Sequence, residues 1–159
     1  MISARHPARL IASAVVTSVV ALAFAASIVV GASPHRLAGP ITDDVGALAG
    51  RASDVQARLD SLQNATKSQL WVWFTDTLDG ADSSDFATQT ARASGLGSTD
   101  LLLVVAMNDR AYGWWKGDNV PLSDSELDSV LSSELESGLR AGDPPAAILA
   151  TADGLQKAM

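Results

Sequence analysis

Apolar and polar positions repeat with two different periods along the chain, and the change of period separates strands from helices. Residues 69–75 and 101–106 are short runs of mostly large apolar side chains, a pattern typical of strands buried on both faces. Residues 110–116 follow the second run across Asn108 and Asp109, a pair that favours a tight turn. The pattern therefore predicts three strands, the last of which pairs by an antiparallel hairpin.

Four other stretches are predicted helices, and three of them repeat apolar residues every three or four positions, the period of helices with one buried face. Their predicted starts lie at about Asp54 (or nearer Asp44), after Ser83 or Ser84, after Ser123, and after Asp143. Ser53 with Gln56 and Ser123 with Glu126 have the spacing of a capping box, and Gly95 is a predicted helix stop.

The order of these elements sets the fold class. A helix between the strands at 69–75 and 101–106 implies a parallel pair with a right-handed connection. Helices should cover both faces of the sheet. We therefore expect an α/β fold, a three-layer α/β/α sandwich around a small mixed sheet of one parallel pair plus the antiparallel hairpin strand.

The first 32 residues are predicted to be a targeting segment. Residues 10–31 carry no charge and follow Arg5 and Arg9, and they are just long enough to cross a hydrocarbon core of ~30 Å. They predict either a signal peptide cleaved near Ala32 or an uncleaved N-terminal hydrophobic anchor helix. Both place the rest of the chain outside the cytoplasm, with residues 33–40 as a tether and residues 41–159 as the domain.

Composition removes several classes of chemistry. The chain has no cysteine and two histidines, His6 and His35, both ahead of the predicted domain. Disulfides, thiolate metal sites and a serine–histidine–aspartate triad in the core are therefore excluded. A net charge of −7 disfavours a nucleic-acid partner, because it repels the phosphate backbone. Nothing in the chain indicates an organic cofactor; a dinucleotide-binding loop, for example, would have to follow a strand and open a helix.

Aspartates scattered in sequence are predicted to meet at one edge of the sheet. Asp43 precedes the first helix, Asp76 and Asp109 follow the two parallel strands, and Asp143 begins the last helix. All four positions fall at the carboxyl edge, where open α/β sheets bind ligands. Crowded carboxylates suit a hard cation, and Ca²⁺ accepts such a set more readily than Mg²⁺. The competing interpretation is that each aspartate only caps a helix or closes a turn.

Two further features indicate a ligand less clearly than the aspartates do. Arg110 could contact an anion at the same edge, although a hairpin arginine is more often solvated or locally paired. Tryptophans at 71, 73, 114 and 115 could form a sugar-binding platform, but core packing is the more common role of tryptophan in strands.

Three segments, in this order and spacing, resemble the TPM domain family. They are residues 41–48 (ITDDVGAL), residues 95–110, in which the apolar run 101–106 is followed by Asp109-Arg110, and the Gly142-Asp143 turn before the last helix. The family includes exported bacterial proteins related to thylakoid-lumen and photosystem II repair proteins. The resemblance covers about residues 41–157 and implies an α/β/α sandwich.

The resemblance also implies a function. Members are described as calcium-binding, with acidic residues at one edge, and some as acid phosphatases; Asp43 and Asp109 match best. We expect an extracytoplasmic, membrane-proximal module that binds a divalent cation, Ca²⁺, and acts through a protein partner in the cell envelope. The membrane contact would be residues 10–31 if they are not cleaved. The alternative is a metal-assisted acid phosphatase, so enzymatic activity stays open. A tryptophan-based glycan binder is a third, weaker alternative.

Overall fold

A four-stranded mixed sheet organises residues 32–159, the part of the chain that the computed structural model describes. Its strands are β1 (Ile41–Asp43), β2 (Gln69–Thr75), β3 (Asp100–Ala106) and β4 (Ala111–Lys116), and they lie side by side in that order. The first three strands are parallel and β4 is antiparallel to β3. The α/β class and the mixed sheet are therefore confirmed.

Helices cover the two faces of the sheet unequally. The helices are α1 (Ala52–Thr66), α2 (Ser83–Ser94), α3 (Asp124–Val130), α4 (Glu136–Arg140) and α5 (Pro144–Ala158), with a π-helical turn (Leu131–Leu135) joining α3 to α4. The larger core contains side chains of α1, α3, the π-helical turn and α5. The smaller core, on the opposite face, contains side chains of α2.

Strand β3 shows why the apolar runs carry no polar alternation. Leu101, Leu103 and Val105 lie in the larger core, while Leu102 and Val104 lie in the smaller one. Successive strand side chains point to opposite faces, so burial of both faces requires apolar residues at every position.

Strand β1 corrects the predicted strand count from three to four. Ile41, Thr42 and Asp43 pair in parallel with Val72, Trp73 and Phe74 of β2. Three residues are too few to display a strand period, so the sequence pattern could not separate this strand from the loop that follows.

Two predicted helix starts are also corrected. Helix α1 begins after Arg51, which makes no side-chain cap, so the capping box of Ser53 and Gln56 is not formed. Helix α2 is capped by Asp82, whose carboxylate accepts hydrogen bonds from the backbone N–H groups of Ser84 and Asp85. Aspartate and serine are nearly equivalent as caps, so composition alone could not choose among adjacent candidates.

Other predicted helix ends are confirmed. The side chain of Ser123 and that of Glu126 form the reciprocal capping box of α3. The hydrogen bonds from Ser123 lower the pKa of Glu126, the side-chain hydroxyl contributing more than the backbone N–H. Gly95 ends α2 in the left-handed conformation, and Asp143 caps α5 ahead of Pro144.

The segment predicted as a tether packs against the domain. Leu37 is buried in the smaller core, and its N–H donates to Ser94 Oγ at 3.0 Å. The ring of His35 meets Trp73 edge-on, with the ring centroids 4.6 Å apart. Residues 33–40 thus lie along the face that α2 covers.

The predicted targeting segment falls, except for Ala32, outside the described residues. Within 32–159, no helix combines the length and apolar character needed to cross a membrane.

Candidate functional site

Three parallel strands deliver acidic residues to one edge of the sheet. Asp43 ends β1, in register with Phe74 of β2. Asp76 follows β2 directly, and its carbonyl oxygen accepts a hydrogen bond from the backbone N–H of Asn108, 2.8 Å away, just after β3. The carboxyl ends of β1, β2 and β3 therefore form a continuous edge, which we call the acidic edge. It carries Asp43, Asp44, Asp76 and Asp109.

Asp43 is engaged in closing the loop that leads to α1. Its two carboxylate oxygens accept hydrogen bonds from the backbone N–H groups of Ala47 and Leu48, each at 2.9 Å. The neighbouring Asp44 accepts a 2.7 Å hydrogen bond from the indole N–H of the buried Trp73. Asp44 was not among the predicted ligands, and its bond fixes it at the same edge.

Asp109 joins the β3–β4 turn to the loop after β2. Its carboxylate accepts from the Thr77 hydroxyl at 2.9 Å and from the Leu78 N–H at 2.6 Å. These bonds hold Asp109 against the residues that directly follow Asp76.

Asp143, the fourth predicted ligand, contacts the starts of α5 and α1, and within residues 32–159 no side-chain hydrogen bond or ion pair joins it to a strand end. Its carboxylate caps α5 by accepting from the Ala146 N–H at 3.0 Å. It also lies 3.7 Å from Nη1 of Arg51, at the start of α1. The side chain is 49 % exposed, so this ion pair is weak.

Asp76 differs from the other members of the acidic edge. It is exposed, and within residues 32–159 its carboxylate has neither a hydrogen bond nor an ion pair. In the same part of the chain, no group of three or more acidic or histidine side chains is arranged to hold a metal ion. The edge gathers oxygen donors of the right chemistry for a hard cation, but most of them already serve caps and turns.

Next to the acidic edge lies a cleft of about 680 Å³ between the start of β4 and α4, here called the β4–α4 cleft. Arg110 and Arg140 line it, together with Tyr112 and Glu136. The Tyr112 hydroxyl donates to Glu136 Oε1 at 3.0 Å, and Glu136 is also ion-paired with Arg140. Burial, followed by the hydrogen bond to the Glu136 carboxylate, raises the pKa of Tyr112 to about 12.

Sequence reasoning identified only Arg110 of this cleft. Tyr112, Glu136 and Arg140 come from two elements without a shared motif. The one local signal was the four-residue spacing of Glu136 and Arg140, which is typical of an exposed helical ion pair and not of a site.

The tryptophans do not form one platform. Trp73 is fully buried, and Trp71 and Trp115 pack with it on the α2 face. Trp114 lies on the opposite face, where its indole N–H donates to Asp128 at 2.9 Å. Their arrangement is that of sheet packing.

Comparisons with known proteins agree with this architecture. The family model described as the TPM domain matches residues 41–158. UPF0603 protein Rv2345 of Mycobacterium tuberculosis (strain ATCC 25618 / H37Rv) is 34 % identical over 127 residues, which are 78 % of this chain and 19 % of that protein. The chain thus spans about a fifth of the length of the curated relatives it matches.

Two solved structures have the same fold. The solution structure of the N-terminal domain of cg2496 protein from Corynebacterium glutamicum is 25 % identical with a TM-score of 0.65, covering 79 % of this chain and 82 % of that one. An N-terminal domain from P. gingivalis is 21 % identical with a TM-score of 0.66, covering 75 % and 80 %. Because the family model matches well over half of its residues, the chain belongs to the TPM domain family.

Proposed function

We propose that this TPM domain is an extracytoplasmic, membrane-proximal binding module that acts through a protein partner in the cell envelope and binds a divalent cation, Ca²⁺, at its acidic edge. The observation that carries the proposal is the convergence of carboxylates at the carboxyl ends of β1, β2 and β3. A binding role is supported by the residue types: the chain lacks cysteine, and His35 is the only histidine in residues 32–159.

Asp76 is the residue best placed to recruit a cation. Its carboxylate is exposed, while Asp109, held against Thr77, would contribute a second carboxylate from the adjacent turn. Ca²⁺ takes oxygen ligands in flexible geometry and accepts water among them, whereas Mg²⁺ requires a near-ideal octahedron. A site with few carboxylates predicts weak binding, in the range of extracellular calcium modules at roughly 10⁻⁴–10⁻³ M.

Calorimetric titration of the full chain in detergent micelles with Ca²⁺ and Mg²⁺ tests the cation site. We expect Ca²⁺ to bind, and Asp76→Asn to weaken binding at least about tenfold, a loss of about 1.4 kcal/mol. Asp118→Asn is the matched control, since Asp118 is an exposed aspartate far from the proposed site. The backbone N–H groups of its neighbours Gly117 and Asn119 donate hydrogen bonds at the amino-terminal end of β3, opposite the acidic edge. Binding that is unchanged by Asp76→Asn would reject the proposed site.

Membrane proximity would come from residues 10–31, either as an anchor or as a cleaved leader. The proposal is supported by the apolar pattern of that segment and by Arg5 and Arg9 before it. Detection of the N-terminus of the mature protein by mass spectrometry distinguishes the two: a chain that begins near Ser33 is secreted, and one that begins near Met1 stays anchored.

A metal-assisted acid phosphatase is the second candidate. The observation in its favour is that Arg110 directly follows Asp109, which brings a guanidinium next to the acidic edge and could stabilise charge on a phosphoryl group. The matched family model also carries the name TPM phosphatase. Hydrolysis of a phosphomonoester by highly purified protein that disappears in Asp109→Asn and Arg110→Gln would support it. Activity that both variants retain would indicate a contaminant.

A further inference from the structure

The β4–α4 cleft has the dimensions and the lining of a ligand site. Its volume of about 680 Å³ lies within the ~300–1,000 Å³ usual for ligand pockets. The walls combine apolar side chains, including Val105, Met107 and Leu139, with the polar groups of Tyr112 and Glu136 and two guanidinium groups. Neither the predicted cation site nor the core packing uses these polar groups.

The charges in the cleft do not balance. Arg140 is ion-paired with Glu136, and Glu136 also accepts the hydroxyl hydrogen bond of Tyr112. Arg110 has no ion pair or hydrogen bond from its side chain to any residue in the described part of the chain. Among the side chains that line the cleft, two arginines face one carboxylate, which leaves one positive charge over. This lining is positive although the net charge of the chain is −7.

The turn before β4 sets the backbone of Arg110, which lines the cleft. The backbone of Arg110 has a φ of 53°, a left-handed conformation that residues other than glycine rarely adopt. The turn is anchored one residue earlier, where Asp109 binds the Leu78 N–H and the Thr77 hydroxyl.

We propose that the β4–α4 cleft binds an extended, apolar segment of a protein partner through an acidic side chain that pairs with Arg110. One surplus positive charge matches a monoanionic carboxylate, and the nearby Glu136 disfavours a phosphate dianion. Arginine side chains recognise acidic motifs, whereas terminal carboxylates are captured by backbone N–H nests. The inference deepens the proposed partner-binding function and rests on it.

Methyl NMR of Met107 gives a local test. The chain has three methionines, at 1, 107 and 159. Of the two in the described part of the chain, Met107 lines the cleft and Met159 does not. The probe is a six-residue peptide with a central glutamate flanked by leucines, titrated into the full chain labelled at the methionine methyl groups, in detergent micelles. Two companion peptides replace the glutamate with glutamine or phosphoserine.

The glutamate peptide should shift the Met107 signal saturably and leave the Met159 signal in place. The glutamine peptide, and the glutamate peptide with Arg110→Gln, should each bind at least about tenfold more weakly. Arg92→Gln is the control, since Arg92 is an exposed arginine of α2 without an ion pair in the described residues. An unchanged Met159 signal shows that each variant is folded.

Three results would overturn the inference: no Met107 shift in the wild type, equal shifts with the glutamate and glutamine peptides, or unchanged binding in Arg110→Gln. Tighter binding of the phosphoserine peptide would also contradict it, because the group that pairs with Arg110 would then be a phosphate and not a carboxylate. Because this experiment needs no cation, its failure leaves the calcium titration at Asp76 unaffected, and the two proposals fail separately.

Discussion

The aspartates of the acidic edge have different roles, and their hydrogen bonds distinguish them. Asp43 satisfies two backbone N–H groups of the loop before α1, while Asp76 accepts no hydrogen bond on its carboxylate from residues 32–159. The same residue type thus serves structure at one position and is available to a ligand at the other.

Asp43→Ala is expected to destabilise the domain by about 1–3 kcal/mol, because it leaves the Ala47 and Leu48 N–H groups without their acceptor. Asp76→Ala should change the free energy of unfolding by less than about 0.5 kcal/mol, as surface substitutions usually do. Urea denaturation of both variants checks this. Equal losses of stability would contradict the division of roles.

Tyr112 offers a spectroscopic test of the β4–α4 cleft. Burial and the Glu136 carboxylate raise its pKa from 10.0 to about 12. The folded state therefore keeps the proton in a pH range where the unfolded chain loses it. The resulting stabilisation is complete below pH 10 and is lost as the pH rises towards 12.

Ultraviolet absorbance of tyrosinate follows this titration directly, since Tyr112 is the only tyrosine of the chain. We expect Glu136→Gln to lower the pKa of Tyr112, and Tyr112→Phe to remove its contribution to the loss of stability between pH 10 and 12. A wild-type tyrosine that titrates at its ordinary pKa would show that Tyr112 is neither buried nor bonded to Glu136 in the way described.

At this scale, the sequence could place residues at an edge but could not assign their hydrogen bonds. The positions of Asp76 and Asp109 followed from the order of strands and helices. The bonds of Asp43 depend on the path of residues 44–51, and those of Asp109 on the loop after β2. No periodic pattern determines either loop.

Among the elements, the helix predicted after Ser123 is interrupted by the π-helical turn (Leu131–Leu135) between α3 and α4. Leu127, Leu131 and Leu135 are all buried, and their four-residue spacing also fits the buried face of a regular α-helix. The apolar spacing therefore predicts a helix over this stretch but not the wider turn within it.

Gly138 sets how closely α4 approaches α5. A Cβ atom at this position would lie 2.6 Å from both Cα and Cβ of Ala147. Gly138→Ala should therefore force the two helices apart and destabilise the domain by about 1–3 kcal/mol, despite the better helix propensity of alanine.

Gly39→Ala is the control for this prediction, because a Cβ atom there meets no atom of residues 32–159 within 4 Å. Thermal unfolding of the two variants should show a lowered Tm for Gly138→Ala alone. An unchanged or raised Tm for Gly138→Ala would mean that α4 can move without cost.

At the scale of the whole molecule, the fold places the negatively charged acidic edge beside the positively charged Arg110 of the β4–α4 cleft. The two meet at the β3–β4 turn, where Asp109 and Arg110 are consecutive. The sequence predicted this edge because the topology of a parallel sheet dictates it. The cleft beside it escaped prediction, because it forms only where α4 packs near β4.

The central claim, a cation bound at the acidic edge, is tested most directly by terbium luminescence. Tb³⁺ substitutes for Ca²⁺ at oxygen sites and emits when a nearby indole is excited, and Trp73 is hydrogen-bonded to Asp44 at this edge. We predict indole-sensitised emission that Ca²⁺ displaces, with an affinity for Tb³⁺ that Asp76→Asn lowers at least about tenfold and that Asp118→Asn leaves unchanged. Absence of sensitised emission from the folded wild type, or an unchanged affinity in Asp76→Asn, would contradict the account.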